Sequence, residues 1–228
     1  ELIMQLFNIF PTTIYSGEVN EHEKHKEDFY KIYPKYDYEE NERYNTVSEN
    51  VGNPLLHLED SLEPLFGDII SHVKKYTCEV LKYKDIFNYV ITKTWLSRTR
   101  DHKTIPWHIH STCHVAFVYY VNMPPKAHKI KFMNPHNMNS LWFGNKEGKY
   151  DNLQMIAEYD DINAETFFIH PPEGNVVLFP GSLHHATESI EGFVGERLAI
   201  VGDITLVLKE EYLQYSTGYI HPQYWKIY

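Results

Sequence analysis

His108 and His110 stand two residues apart in the run Trp107-His108-Ile109-His110. In an extended chain, side chains at i and i+2 share a face with about 6 to 7 Å of backbone between them, so both imidazoles can reach one metal ion. A third ligand has to come from elsewhere. Phe179-Pro180-Gly181-Ser182-Leu183-His184-His185 supplies a strand end, a tight turn and a histidine pair, either member of which closes the set. A lone His-x-His is a weak sign of metal binding; a second histidine cluster in a β-rich half strengthens it. Arg197 opens the apolar run Arg197-Leu198-Ala199-Ile200-Val201. Its guanidinium cannot shed its charge, so burial there demands a carboxylate or comparable partner, which a dicarboxylate co-substrate would provide.

The other histidines call for less. Of the 14 in the chain, His22, His25, His57, His72, His128, His136 and His221 stand isolated and read as surface or hydrogen-bonded core residues. Cys78 and Cys113, the only cysteines, belong to no Cys-x-x-Cys pair and read as buried free thiols.

Positioning such a site requires strands, and the chain predicts them in its C-terminal half. Short β-branched and aromatic runs at 89–96, 114–122, 128–133, 166–170, 175–179 and 197–208 are separated by turn signals. The N-terminal half reads differently: a strand at 6–15 interrupted by Pro11, an amphipathic surface helix at 21–33, and a polar loop at 39–53. Asp60 and Glu63 offer a capping box for a helix along which Leu62, Leu65, Phe66, Ile69, Ile70, Val73, Tyr76, Val80 and Leu81 form one apolar stripe, with Pro64 tolerable in its first turn. Helices followed by many strands predict an α+β fold, with the helices covering one face of a β-sandwich or barrel. The expected organisation is a single domain: a helical lead-in at 1–88, a β core at 89–208 and a tail at 209–228. The segment 134–165, carrying Trp142, Phe143, Gly144 and Gly148, breaks the strand rhythm and is expected to be either a lid over the site or an ordinary surface insertion.

Composition bounds the partners. With 43% hydrophobic residues over 228 positions the chain can bury a full core. Its formal net charge of -10, with no compensating Lys/Arg cluster, argues against holding nucleic acid through phosphates. No stretch reaches the length of a membrane span, and no basic-then-apolar leader opens the sequence, so a cytoplasmic protein is expected. Met4 fits a native start, leaving Glu1 to Ile3 without functional weight.

At these residues the chain resembles the 2-oxoglutarate and iron(II)-dependent oxygenases, in particular a group of small members common in marine phages and bacteria. The resemblance rests on Leu6-Phe7-Asn8-Ile9-Phe10-Pro11-Thr12, Trp95, His108-Ile109-His110-Ser111, Val118-Tyr119-Tyr120-Val121, Gly174-Asn175-Val176-Val177-Leu178-Phe179-Pro180, and His185 followed by Arg197. It implies a jelly-roll (double-stranded β-helix) core with N-terminal helices packed on one face. It implies iron ligation by His108 and His185, rather than His184, with His110 in the remaining ligand position. It also places the distal carboxylate of 2-oxoglutarate on Arg197, with Tyr119 or Tyr120 as hydroxyl donor. The chain departs from the family twice: His110 stands where Asp or Glu is usual, and Ala199 stands where a serine often follows the arginine by two residues. Glu188 and Asp203 are the carboxylates that could replace His110 as third ligand.

The implied activity is hydroxylation of a peptide, an amino acid or another small molecule. Three rivals stay open from the residues alone. They are a non-catalytic jelly-roll module binding a metal or acidic ligand, a three-histidine cupin-like dioxygenase independent of 2-oxoglutarate, and a zinc hydrolase.

Overall fold

The computed structural model describes residues 8–35, 55–100, 103–136, 139, 157–188, 190–215 and 221–226. The expectations for Leu6 and Phe7, for the polar loop at 39–53, and for Trp142, Phe143, Gly144 and Gly148 lie outside the described residues.

Among the described residues, eight strands carry the fold: β1 (Tyr15–Glu18), β2 (Phe87–Arg100), β3 (Val115–Asn122), β4 (Lys129–Met133), β5 (Thr166–Ile169), β6 (Asn175–Pro180), β7 (His185–Glu188) and β8 (Glu196–Leu208). They form two antiparallel sheets, a major one in the order β1-β6-β3-β8-β2 and a minor one in the order β5-β4-β7. Two helices, α1 (His22–Ile32) and α2 (Glu63–Lys74), precede β2. The expected α+β class is therefore borne out.

Strand alternation divides the core in two. On the outer face of the major sheet, Val115, Phe117, Tyr119, Val121, Val176, Leu178, Leu198, Ile200 and Ile204 pack with Phe29 of α1 and with Leu65, Phe66, Ile69 and Val73 of α2. On the inner face, Ala116, Val118, Tyr120, Val177, Phe179, Ala199 and Val201 pack with Ile130 and Phe132 of the minor sheet. Successive side chains along a strand point to opposite faces, so each strand serves both cores, which explains why β3 and β8 read as nearly continuous apolar runs.

Three local expectations are corrected. The described part of 6–15 holds no strand before Tyr15; β1 starts there and pairs Tyr15 with Leu178 of β6. The Asp60–Glu63 capping box does not form, because Asp60 already lies within a short 3-10 turn and no side chain caps α2. The apolar stripe holds through Tyr76 and then fails. After Lys74 the backbone widens to a π-type turn over Lys75–Val80, with the Leu81 amide donating to the Tyr76 carbonyl, and the changed phase leaves Val80 and Leu81 exposed. Pro64 does sit in the first turn, and β7, absent from the sequence-based expectation, is only four residues long.

Candidate metal and co-substrate site

The segment 105–110 runs antiparallel to the turn and strand at 181–187 without the regular ladder of a strand. The amide of His108 donates to the carbonyl of His185 and the amide of His185 to that of His108, both at 3.0 Å, and the His110 amide donates to the Gly181 carbonyl at 2.8 Å. Thr187 closes the register, its amide donating to the Ile105 carbonyl at 3.0 Å and its hydroxyl accepting from the Ile105 amide at 2.7 Å. Residues directly opposite in an antiparallel pair share a face, so this pairing sets His108 beside His185, and the i+2 relation adds His110. Ring centroids lie 4.2 Å apart for His108 and His185, 5.0 Å for His110 and His185, and 5.5 Å for His108 and His110.

One potential ligand nitrogen from each of these rings lies within 4.8 Å of the other two. The opposite side of each ring is tethered: Nδ1 of His108 to the Pro106 carbonyl at 2.8 Å, Nδ1 of His110 to Asp203 Oδ1 at 2.5 Å, and Nδ1 of His185 to the Leu183 carbonyl at 2.9 Å. A carbonyl or carboxylate oxygen only accepts, so each Nδ1 carries the proton and each Nε2 of a neutral ring presents a lone pair. Nε2 of His110 is buried without a hydrogen-bond partner. Burial, with His108 and His110 adding to it, holds the His185 pKa down to about 3, so its ring is neutral at physiological pH. Three pre-oriented imidazoles, each tethered through Nδ1, make a donor set suited to a divalent transition metal.

His184 is exposed, and its carbonyl accepts from the Met133 amide. Of the two alternative carboxylates, Glu188 pairs with Lys131 at 2.8 Å, and Asp203 faces Nδ1 of His110, the nitrogen tethered away from the cluster.

The three histidines and Arg197 line one cavity of about 380 Å³, with Trp95, Ser97, Val118, Ile130 and Asp203 also in its wall. Arg197 is 2% exposed, and its Nε and Nη1 have no hydrogen-bond partner. The neighbouring carboxylate Glu196 is committed elsewhere, 2.8 Å from Arg100 and 3.7 Å from Arg98. Arg197 instead lies over the Tyr120 ring, 4.9 Å from its centroid, and the Tyr120 hydroxyl is buried without a partner. Burial raises the pKa of that hydroxyl, with Arg197 pulling against it, so it stays a donor.

Of the two candidate tyrosines, only Tyr120 comes to this side. Tyr119 is directed by strand alternation to the helix-covered face, where its hydroxyl meets Nδ1 of His22 at 2.7 Å. Ser97 was not singled out from the sequence. It lies opposite Ala199 in the β2–β8 register and is 1% exposed, and its Oγ has no partner. Its two-residue offset from Trp95 was the available signal, because both then share the inner face.

Residues 93–203 match the model of a family described as "Putative 2OG-Fe(II) oxygenase". No curated protein matches the chain. Among solved structures, the chain is similar to a Pseudomonas putida prolyl-4-hydroxylase, with 9% identity, TM-score 0.52, and 85% of this chain and 92% of that one covered. It is similar to the α-ketoglutarate-dependent epimerase SnoN of nogalamycin biosynthesis, with 7% identity, TM-score 0.55, and coverage of 92% and 87%. It is also similar to HygX of Streptomyces hygroscopicus, a structure holding nickel, 2-oxoglutarate and hygromycin B, with 13% identity, TM-score 0.55, and coverage of 85% and 83%. At such identities these likenesses establish the jelly-roll fold.

Proposed function

Proceeding from a chain whose β-rich core carries the 2OG-Fe(II) oxygenase family pattern, we propose that it is an iron(II)- and 2-oxoglutarate-dependent oxygenase that hydroxylates a small molecule, an amino acid or a peptide. One observation carries the reading: a buried arginine whose Nε and Nη1 meet no partner among the described residues and three histidines whose ring nitrogens converge within 4.8 Å share one cavity.

His108, His110 and His185 would hold the iron. Arg197 would take the distal carboxylate of 2-oxoglutarate through its Nε and Nη1, with the Tyr120 and Ser97 hydroxyls close by as neutral donors. Ser97 reaches the inner face directly across from Ala199, so a hydroxyl is present there although position 199 lacks one. When bound, iron(II) and 2-oxoglutarate supply the activation of dioxygen for oxidation of the substrate. The protein orients these groups on rigid strands and excludes water. Trp95, Val118 and Ile130 wall the cavity, and an apolar wall strengthens each polar contact inside it. The acidic chain and a cavity of only about 380 Å³ favour a small or peptide substrate over a nucleic acid.

The test is anaerobic titration of the iron(II)-loaded protein with 2-oxoglutarate, followed by the weak visible charge-transfer absorption of a chelate. The band is expected in the unmutated protein. Arg197→Ala should need about 10- to 100-fold more 2-oxoglutarate while keeping its iron, since a charge-assisted hydrogen bond contributes on the order of 1.5 to 3 kcal/mol. Iron binding with no band would instead favour a cupin-like site or a binding module. Succinate release coupled to loss of a candidate substrate then identifies the reaction.

A further inference from the structure

Asp203 sits at a place where strand alternation calls for an apolar residue. Arg197, Ala199, Val201 and Asp203 form the inner row of β8; Ala199 and Val201 belong to the inner core, and Asp203 is 4% exposed. Its Oδ1 lies 2.5 Å from Nδ1 of His110, with the two side chains 6% and 4% exposed, respectively. Burying a carboxylate is costly, and a hydrogen bond alone is met more cheaply elsewhere in the same cluster, where backbone carbonyls accept from Nδ1 of His108 and His185. Only the ring at position 110 is given a carboxylate.

Resting on the three-histidine reading above, we infer that Asp203 is a positioning residue of the metal centre: through Nδ1 of His110 it supplies the negative charge that a carboxylate ligand would otherwise bring. The carboxylate fixes the proton on Nδ1, turns Nε2 toward the shared metal position, and makes the imidazole a more basic, partly anionic donor. His110 and Asp203 together then act as one ligand whose charge lies a hydrogen bond away from the ion. The orphaned His110 Nε2 is the second sign, because a ring anchored only for structure would leave no buried lone pair unused.

The inference is tested on the full-length protein with Fe(II) under anaerobic conditions and with Co(II) as a spectroscopic probe. Asp203→Asn keeps the shape and removes the charge. It should weaken both metals about 10- to 100-fold, the usual cost of losing such an outer partner, without lowering the thermal midpoint of the metal-free protein. In a His110→Asp background, which puts a carboxylate in the site itself, the same substitution should no longer weaken metal binding, and Asp203→Glu in the native background should restore part of it. Nitrogen-15 NMR of the unmutated, metal-free protein needs no variant and should show His110 protonated at Nδ1. Wild-type affinity in Asp203→Asn would overturn the inference. So would weakening that persists undiminished with His110→Asp, a loss of metal-free stability that accounts for the effect, or a proton on Nε2. His185→Ala separates the two levels. If that variant keeps full metal affinity, the three-histidine reading fails; if it loses metal while Asp203→Asn does not, only the role of Asp203 falls.

Discussion

His184 and His185 are adjacent and chemically identical, yet one ring is exposed and the other is 4% exposed beside His108 and Phe179. Environment, not residue type, makes one of them a candidate ligand. Replacing His185 with Ala should therefore lower iron(II) retention by more than the roughly 10- to 100-fold expected for loss of an outer partner, whereas His184→Ala should leave it nearly unchanged. Metal content after anaerobic reconstitution and desalting checks both; equal retention in the two variants would reject the assignment. The same contrast separates Tyr119 from Tyr120. Their positions differ by one residue, which in a strand is a change of face, and Tyr119 binds His22 while Tyr120 lies against Arg197. Substituting Tyr120 with Phe should raise the 2-oxoglutarate requirement, and Tyr119→Phe should not; titration of the iron-loaded variants measures the difference.

At the scale of elements, the turn between β6 and β7 is what brings the distal histidine to the pair. Gly181 accepts the His110 amide and donates to the His114 carbonyl, and a Cβ added to it would meet Cys113 Sγ at 2.6 Å, the Cys113 carbonyl at 2.7 Å and the His110 carbonyl at 2.9 Å. Two of those three atoms are backbone, so the turn and the His-x-His segment would have to separate. Gly181→Ala should cost about 1 to 3 kcal/mol of stability, as overpacked substitutions do, and should weaken metal binding as well. Gly67, within α2, has open space where its Cβ would lie. Gly67→Ala should stabilise by about 0.5 to 1 kcal/mol through helix propensity alone and leave the metal site untouched. Urea unfolding of both variants, paired with metal titration, reads out the opposite signs.

Across the whole molecule, the helical layer and the histidine cluster both store histidines that burial keeps neutral. Burial lowers the pKa of His25, His57 and His72 on the helix-covered side, and that of His185 inside the cavity, while nearby acidic groups only partly oppose it at His25 and His72. In the unfolded chain each of these rings protonates near its ordinary value of about 6.5. The unfolded state thus binds more protons below that pH, and the stability these residues contribute is complete above it and lost as pH falls toward the folded values. The metal-free protein should accordingly be measurably less stable in urea at pH 5.5 than at pH 7.5, by up to roughly 1.4 kcal/mol per pH unit for each ring whose proton binding differs. Equal stability at the two values would mean these rings are accessible to protons in the folded protein. Within the described residues no helix is long and apolar enough to cross a membrane.

Much of this was legible in the chain itself. The six strand runs read from β-branched and aromatic residues correspond to β2, β3, β4, β5, β6 and β8, because alternation and turn residues are local signals that a strand carries wherever it packs. The His-x-His spacing and the apolar run behind Arg197 likewise stated their chemistry locally. What the chain could not state was pairing. That 105–110 lies against 181–187, that Ser97 falls opposite Ala199, and that Asp203 meets His110 across 93 positions depend on which strands become neighbours and in which register. β7 went unread because four residues are too few to display a period, and its identity comes from the partner it joins. The residue types and their spacings thus picked out the candidate ligands and the arginine, whereas long-range strand register decided which groups face one another and which buried polar atoms stay unmet, because a strand's own sequence sets its faces without naming the segment that pairs with it.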